Sequence, residues 1–403
     1  MSTLGRLDEG ARGADAGSAG QPPEIGVGLL GYAFMGRAHA DAYRALRHLP
    51  APPALCPHVR SVAGRDSVAV SRAASRLGIE RAVSDWHELI ADERIALFDN
   101  VAPNDLHAEP TIAAAQAGKH VVCEKPLGRN AEESYEMWQA VAACEVVHMC
   151  AFNYRFVPAV ALARSLIASG ELGEIHHFRA RYLQDWLLDP ELALVWRLQA
   201  EHAGSGALGD LGAHVIDLAR FLVGEIAAVA ATTVTVRRER AGGIVDVDDA
   251  FAAVVTFEEG AIGTIEASRV CRGRKNALTW EVNGSRGSLA FDLERLNHLW
   301  VDLVGTRPGE AAQGFREVLV TEPDHPYAGL WWPPGHILGW HHSFVHELGH
   351  LLGAIAGSHP VRPLGADFED GYRAAEVCDA VLRSQRSGCR EWVAYRTLPD
   401  TDG

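Results

Sequence analysis

The sequence predicts two domains: an α/β domain built on a doubly wound parallel sheet, then an α+β domain with a large, mostly antiparallel open sheet. Three observations carry that expectation. Short apolar runs alternate with helical segments up to about residue 150, as βαβ units do. One such run passes straight into a glycine turn and a helix near residue 30. From Ile175 onward the texture changes to long strand-like runs joined by glycines.

Composition bounds the rest. The 403 residues suffice for two ordinary cores. A net charge of -15 with scattered basic residues argues against nucleic acid and anionic membranes as partners and in favour of a small molecule. No apolar run reaches the length of a membrane span. Seven cysteines, an odd number without a CxxC pair, suit a reducing cytoplasm better than a disulfide framework. Residues 1–22 form a Gly/Ala/Ser/Asp tail, expected to be disordered, with no apolar core of the signal-peptide kind.

The first strand, Ile25 to Leu30, leads into Gly31-Tyr32-Ala33-Phe34-Met35-Gly36 and the helix RAHADAYRAL. A strand, a glycine turn and a helix start form a pyrophosphate site, because backbone N–H groups and the helix dipole face the negative charge. The spacing fits GxGxxG except that Ala33 replaces the second glycine, which tightens the approach to a phosphate by one methyl. These are the marks of a Rossmann domain, assigned to residues 23–150, with residues 151–403 forming the substrate-binding and oligomerisation domain.

The proline-rich PAPPALCP delays the second strand, Arg60 to Ala63. At its tip, where an NAD-binding fold often carries a ribose-binding carboxylate, stands Gly64-Arg65-Asp66. Arg65 could stack on adenine or hold a 2′-phosphate, and Asp66 could still reach the ribose, so these residues leave both NAD and NADP open. A strand over Ile95 to Val101 ends in APNDLH, and the helix PTIAAAQAG stops at Gly118. Val121-Val122-Cys123 then reads as a buried strand halted at Glu124-Lys125-Pro126, which leaves a lysine at the carboxyl edge where ligands of doubly wound sheets bind. A sixth strand is expected over Val146 to Phe156.

Beyond it, IHHFRARYLQDW, AVAATTVTVRR, AFAAVVTFEEGAIGTIEASR, LTWEVNGSRGSLAFDL and NHLWVDLVG form the open sheet, one face of which is expected to meet a second subunit in a homodimer or homotetramer. Between the first two lies GSGALGDLGAHVIDLARFLV, where Asp210, His214 and Asp217 share one face if the segment is helical. Two helices and a closing strand, REWVAY, end the chain.

Taken together, Gly31 to Gly36, APNDLHAE, CEKPL and GDLGAHVIDLARF resemble, in order and spacing, the glucose-fructose oxidoreductase / inositol dehydrogenase / rhizopine catabolism (Gfo/Idh/MocA) family. AFNYRFVPAVALA, YLQDW, AGSGALGD and HPY...LW look like its levoglucosan-oxidising branch, which makes a 3-keto sugar with NAD. The resemblance implies an NAD-dependent dehydrogenase of an uncharged sugar or polyol, an inositol dehydrogenase being the alternative. It matches Lys125, Asp210 and His214 to the catalytic groups, the formal base being either Lys125 or His214. It matches Gly31, Ala33, Phe34, Met35 and Gly36 to the pyrophosphate turn and Arg65 to the adenosine ribose. Asn104, His107, Glu124, Lys125, Pro126 and Asn153 are matched to the nicotinamide end. Tyr154, Arg155, Gln184, Asp185, Trp196, Arg197 and Trp331, with the catalytic three, are matched to the sugar. No cluster of basic residues in the sequence marks a phosphate pocket, so an uncharged substrate is expected.

Two other readings compete. His346-Glu347-Leu348-Gly349-His350 is a literal HExxH, which on a helix could bind zinc for a peptidase. With 19 histidines in the chain, five of them between His336 and His350, a chance match is the better explanation, and no metal is expected. A non-catalytic nucleotide sensor would be expected to lack Lys125 or His214, and both are present.

Overall fold

A computed structural model describes residues 22–304 and 314–399; the expected N-terminal tail falls almost wholly outside them. Six parallel strands, β1 (Glu24–Leu30), β2 (Cys56–Ala63), β3 (Arg81–Val83), β4 (Leu97–Asn100), β5 (His120–Glu124) and β6 (His148–Ala151), make the first sheet in the order β3-β2-β1-β4-β5-β6. The order reverses between β1 and β4, and that switch point opens a crevice at the strand ends. The crossovers carry α1 (Phe34–Leu46), α2 (Ser67–Leu77), α3 (His87–Ala91), α4 (Ala108–Gln116) and α5 (Ala131–Ala142).

The sixth strand is shorter than the sequence suggests. It stops at Ala151, and Asn153–Phe156 turn into a 3-10 helix that feeds α6 (Pro158–Ala168). Continuous burial hides this change, because every residue from Met149 to Val160 is buried whether extended or coiled.

The second sheet, among the described residues, has nine strands. These are β7 (Ile175–Leu183), β8 (Ile226–Val234), β11 (Ala250–Phe257), β12 (Ile262–Ser268), β13 (Ala277–Gly284), β14 (Gly287–Asp292), β15 (His298–Leu303), β16 (Arg316–Leu319) and β17 (Glu391–Trp392). A small hairpin, β9 (Glu239–Arg240) and β10 (Gly243–Ile244), stands apart. All pairings in the large sheet are antiparallel except β7 with β12. Helices α7 (Ala200–Ala203) and α8 (Ala213–Leu222) lie between β7 and β8, and α9 (His342–Ile355) and α10 (Phe368–Ser387) follow the sheet.

The two sheets share helices. Phe344, Val345, Leu348, Leu351 and Leu352 of α9 bury against Ile25, Val27, Tyr43 and Met149, so a C-terminal helix closes one face of the N-terminal sheet. Each such side chain contributes roughly 1.5–3 kcal/mol on burial. Helix α10 packs on both α5 and β8, which fixes the crevice of the first sheet against the loops of the second.

Candidate active site

A cavity of about 500 Å³ opens where the ends of β4 and β5 meet the segment leading into α8. Lys125 follows β5 directly, and the Lys125-Pro126 peptide is cis. Its Nζ donates to the backbone oxygen of Asp210 at 2.7 Å and stands 3.4 Å from Oδ1 of the same residue. The other carboxylate oxygen, Oδ2, accepts from Arg269 Nη2 at 2.9 Å. Burial would raise the pKa of Asp210, but Arg269, Lys125 and Arg197 outweigh it and hold the carboxyl far below the usual range.

His214 lies on the same wall with its Nδ1 buried and without a hydrogen-bond partner among the described residues. Burial first, then the Lys125 charge, pushes its pKa well below the ordinary histidine value, with Asp210 opposing weakly. The ring is therefore neutral at physiological pH and free to accept a proton. Asp210 and His214 meet here because Leu208–Gly212 form a π-helical turn that runs into α8. Asp217 does not join them. It faces Arg155, whose Nη2 stands 2.5 Å from Oδ1, in a sealed ion pair where both side chains are at most 3% exposed. The shared face read from the sequence is thus split between the cavity and the core.

The opposite wall fits a dinucleotide. Gly31 has φ +111°, and a Cβ on Gly36 would come within 2.4 Å of the Gly31 carbonyl oxygen, so both positions require glycine. Ala33 has a negative φ of -77°, so the departure from GxGxxG does not put an L-residue in the left-handed region that favours glycine. No side chain caps α1, which leaves its first N–H groups for an anion, and Ala33, Phe34 and Met35 line the cavity. Glu124, Pro126, Asn104, His107 and Asn153 line it as well. Two of these use their polar atoms to hold the frame. His107 sets its ring nitrogens against the carbonyl oxygens of Pro126, at 2.9 Å, and Ala102, at 3.0 Å. Asn104 Nδ2 donates to Ala203 at 3.0 Å, tying β4's end to α7.

Past β2, Gly64 is explained by Tyr32: a Cβ there would lie 2.1 Å from its ring. Arg65 is exposed at this tip. Asp66 caps α2, its Oδ1 accepting from the amides of Val68 and Ala69.

On the substrate side Tyr154, Gln184, Trp196 and Arg197 reach the cavity, and Arg155, Asp185 and Trp331 do not. Besides its pair with Asp217, Arg155 stands 3.4 Å from Asp370. Asp185 turns outward to Lys275 at 2.8 Å. Trp331 donates from Nε1 to His346 Nε2 at 2.7 Å. The sequence did not reveal Tyr182, Asn276, Arg269 or Trp340, which also line the cavity. A chain of hydrogen bonds joins several of them: the Tyr154 and Tyr182 hydroxyls lie 2.8 Å apart, and both Tyr182 and Gln184 donate to Asn276 Oδ1. Lys125, Arg197 and Arg269 converge here from three distant segments, a grouping that adjacency in the sequence does not show. Two of the three face Asp210, and Arg197 lies over the Trp196 ring at 4.3 Å.

The HExxH histidines point to other partners. His346 Nδ1 meets the Phe156 carbonyl at 2.9 Å while Nε2 accepts the hydrogen bond from Trp331 Nε1, and burial pushes this ring down to about 3. His350 Nε2 meets the Val361 carbonyl at 2.8 Å. Among the described residues no group of three or more His, Cys, Asp or Glu is arranged to hold a metal ion.

Comparison with known proteins agrees with this geometry. Residues 25–152 match the GFO/IDH/MocA oxidoreductase family, NAD-binding Rossmann fold, and residues 160–290 match the GFO/IDH/MocA C-terminal domain. Levoglucosan dehydrogenase of Pseudarthrobacter phenanthrenivorans is 43% identical over 388 residues, covering 92% of this chain and 97% of the relative. A structure of levoglucosan dehydrogenase with NADH and levoglucosan matches with a TM-score of 0.89 at 43% identity, over 93% of this chain and 100% of that one. An oxidoreductase domain protein from Kribbella flavida matches with a TM-score of 0.87 at 45% identity, over 92% and 100% of the two chains.

Proposed function

Because this chain belongs to the GFO/IDH/MocA family of NAD-dependent oxidoreductases, we propose that it oxidises a secondary hydroxyl of levoglucosan, or a closely similar uncharged pyranoside, to the 3-keto product. One observation carries the reading: Lys125, Asp210 and His214 converge on a single cavity whose other wall is an uncapped helix start behind a glycine turn. When bound, NAD supplies a nicotinamide that accepts the hydride and its electron pair from the carbinol carbon. The protein handles the proton. The neutral His214 imidazole takes it from the substrate hydroxyl as the C=O bond forms. The Lys125 ammonium stabilises the negative charge developing on that oxygen, and Asp210 holds Lys125 in place while Arg269 holds Asp210. Trp196 and Tyr154 offer apolar faces to a pyranose ring, and Gln184 and Asn276 offer polar groups to its hydroxyls.

The test is a panel of levoglucosan, other pyranoses, inositols and a sugar phosphate, assayed with NAD and NADP by absorbance of the reduced nicotinamide. Levoglucosan with NAD should give the highest kcat/KM. An inositol in that place would move the assignment to the alternative substrate class, and a sugar phosphate would make Arg197 an anion site.

The open face of the large sheet supports a homo-oligomer, with Val234, Val254 and Ile262 all at least half exposed. Light scattering should return a dimer or tetramer. A cytoplasmic location is consistent with seven free cysteines and with the absence, among the described residues, of any helix long and apolar enough to cross a membrane.

A further inference from the structure

Beneath the cavity wall lies a buried charged cluster that the chemistry above leaves unused. His39 on α1 has no exposed surface. Its Nδ1 stands 2.9 Å from Asp99 Oδ2, and its Nε2 stands 3.2 Å from Glu124 Oε1. A neutral imidazole has a single N–H, so two carboxylates at opposite ring nitrogens require the imidazolium. Tyr43 donates to Asp99 Oδ2 at 2.9 Å, completing that carboxylate. At the other end, Glu124 Oε2 accepts the backbone N–H of Lys125 at 3.0 Å, so Glu124 spans from the buried cluster to the residue that faces the substrate. Glu124 is itself part of the cavity lining.

We propose that His39 is a positioning residue of the hydride-transfer site: fixed as a cation between Asp99 and Glu124, it keeps the Glu124 carboxylate ionised at the cavity wall, where that charge favours the cationic, oxidised nicotinamide over the neutral, reduced one. The inference rests on the reading that the nicotinamide lies against Glu124 and Lys125. Glu347 of α9 is a further carboxyl that interacts with His39; it is fully buried, neither oxygen has a hydrogen-bond partner among the described residues, and burial pushes it well above the usual range. Burial alone would lower the pKa of His39, yet Asp99 and Glu124 reverse the effect and raise it. For Glu124 burial acts upward and is outweighed by His39 and then Lys125, which leaves the carboxyl below its ordinary value. Removing His39 would leave two buried carboxylates facing one another without their cation, and Glu124 would take up a proton.

Equilibrium binding of NAD+ and NADH, measured by calorimetry on the purified enzyme without sugar, tests this directly. In His39→Gln and in Glu124→Gln, the Kd for NAD+ should rise about tenfold, the scale of one lost charge at short range, while the Kd for NADH stays within about twofold. The double variant should be no worse than either single one, because the two residues act through the same charge. Glu347→Gln should leave the ratio of the two constants unchanged. Equal weakening of both cofactors would mean that His39 only supports the fold and would overturn the proposal, as would an unchanged ratio in Glu124→Gln. If His39→Gln does not fold, Glu124→Gln still decides, since it preserves shape and removes only the charge. A wild-type protein that binds neither cofactor would overturn the proposed function along with this inference.

Discussion

Asp210 and Asp217 stand seven residues apart on one continuous helical segment, and each is paired with a buried arginine, yet they belong to different parts of the molecule. Asp217 is 2% exposed and meets Arg155 through two oxygens, inside a buried network that Asp370 and Arg220 continue away from any cavity. Asp210 is 25% exposed and divides its oxygens between Arg269 and the Lys125 ammonium, at the edge of a cavity. Burial raises the carboxyl of Asp217 despite Arg155, whereas three cations overcome burial at Asp210. A carboxylate and an arginine are thus compatible with either role, and what separates them is whether an open volume adjoins the pair.

The sharpest way to break this distinction is to remove the ammonium that faces the open volume. Lys125→Ala should lower kcat by about 10³-fold, the scale of a lost acid–base or charge-stabilising group, while Kd for NAD by calorimetry changes little. Near-normal turnover would show that the open pair works no differently from the sealed one. The sealed pair should answer in the opposite way. Arg155→Ala leaves Asp217 without its cation in the core and should cost about 3–5 kcal/mol of stability in urea titrations. The kcat per folded molecule should hold, and a selective loss of kcat would return Arg155 to the site that the sequence assigned it.

How far the sequence could see follows the same division. The parallel sheet, the glycine turn and Lys125 were legible because each depends on residues within one strand–loop–helix unit. The placement of Arg155, Asp185 and Trp331 was not, because their partners Asp217, Lys275 and His346 lie on other segments and only the fold brings them near. Tyr182 carried some signal, as an inward position in the alternating pattern of β7. Arg269 and Asn276 carried none: they sit where β12 ends and β13 begins, and their importance comes entirely from Asp210 and Tyr182 across the cavity. Asp66 was ambiguous for a local reason, since a carboxylate three residues past a strand can cap the next helix as well as reach a ribose.

A smaller effect separates the two environments by pH. The folded pKa of His214 lies well below 6.5, so the ring stays neutral as pH falls past the value at which the unfolded chain takes up a proton. The acid limb of kcat/KM should therefore fall below pH 6.5, and stability should decline over that same acidic window, because the unfolded state binds the extra proton first. An acid limb at or above pH 6.5 would mean that His214 is not the base or is not shielded by its burial.

The smallest expected effect concerns Trp331, which the sequence assigned to the sugar and the fold assigns to the α9 histidine. Trp331→Phe removes the 2.7 Å bond to His346 Nε2 and leaves a buried acceptor unpaired. Such a loss costs about 1–3 kcal/mol, so thermal denaturation should register it while KM for the sugar stays unchanged. A six-membered ring remains near His342, while the pyrrole half of the indole leaves with its N–H, so the cost combines the hydrogen bond with some lost packing. If KM rises instead while stability does not, the segment around Trp331 closes over the cavity during turnover, and the boundary drawn here between site and support would have to move outward to include it.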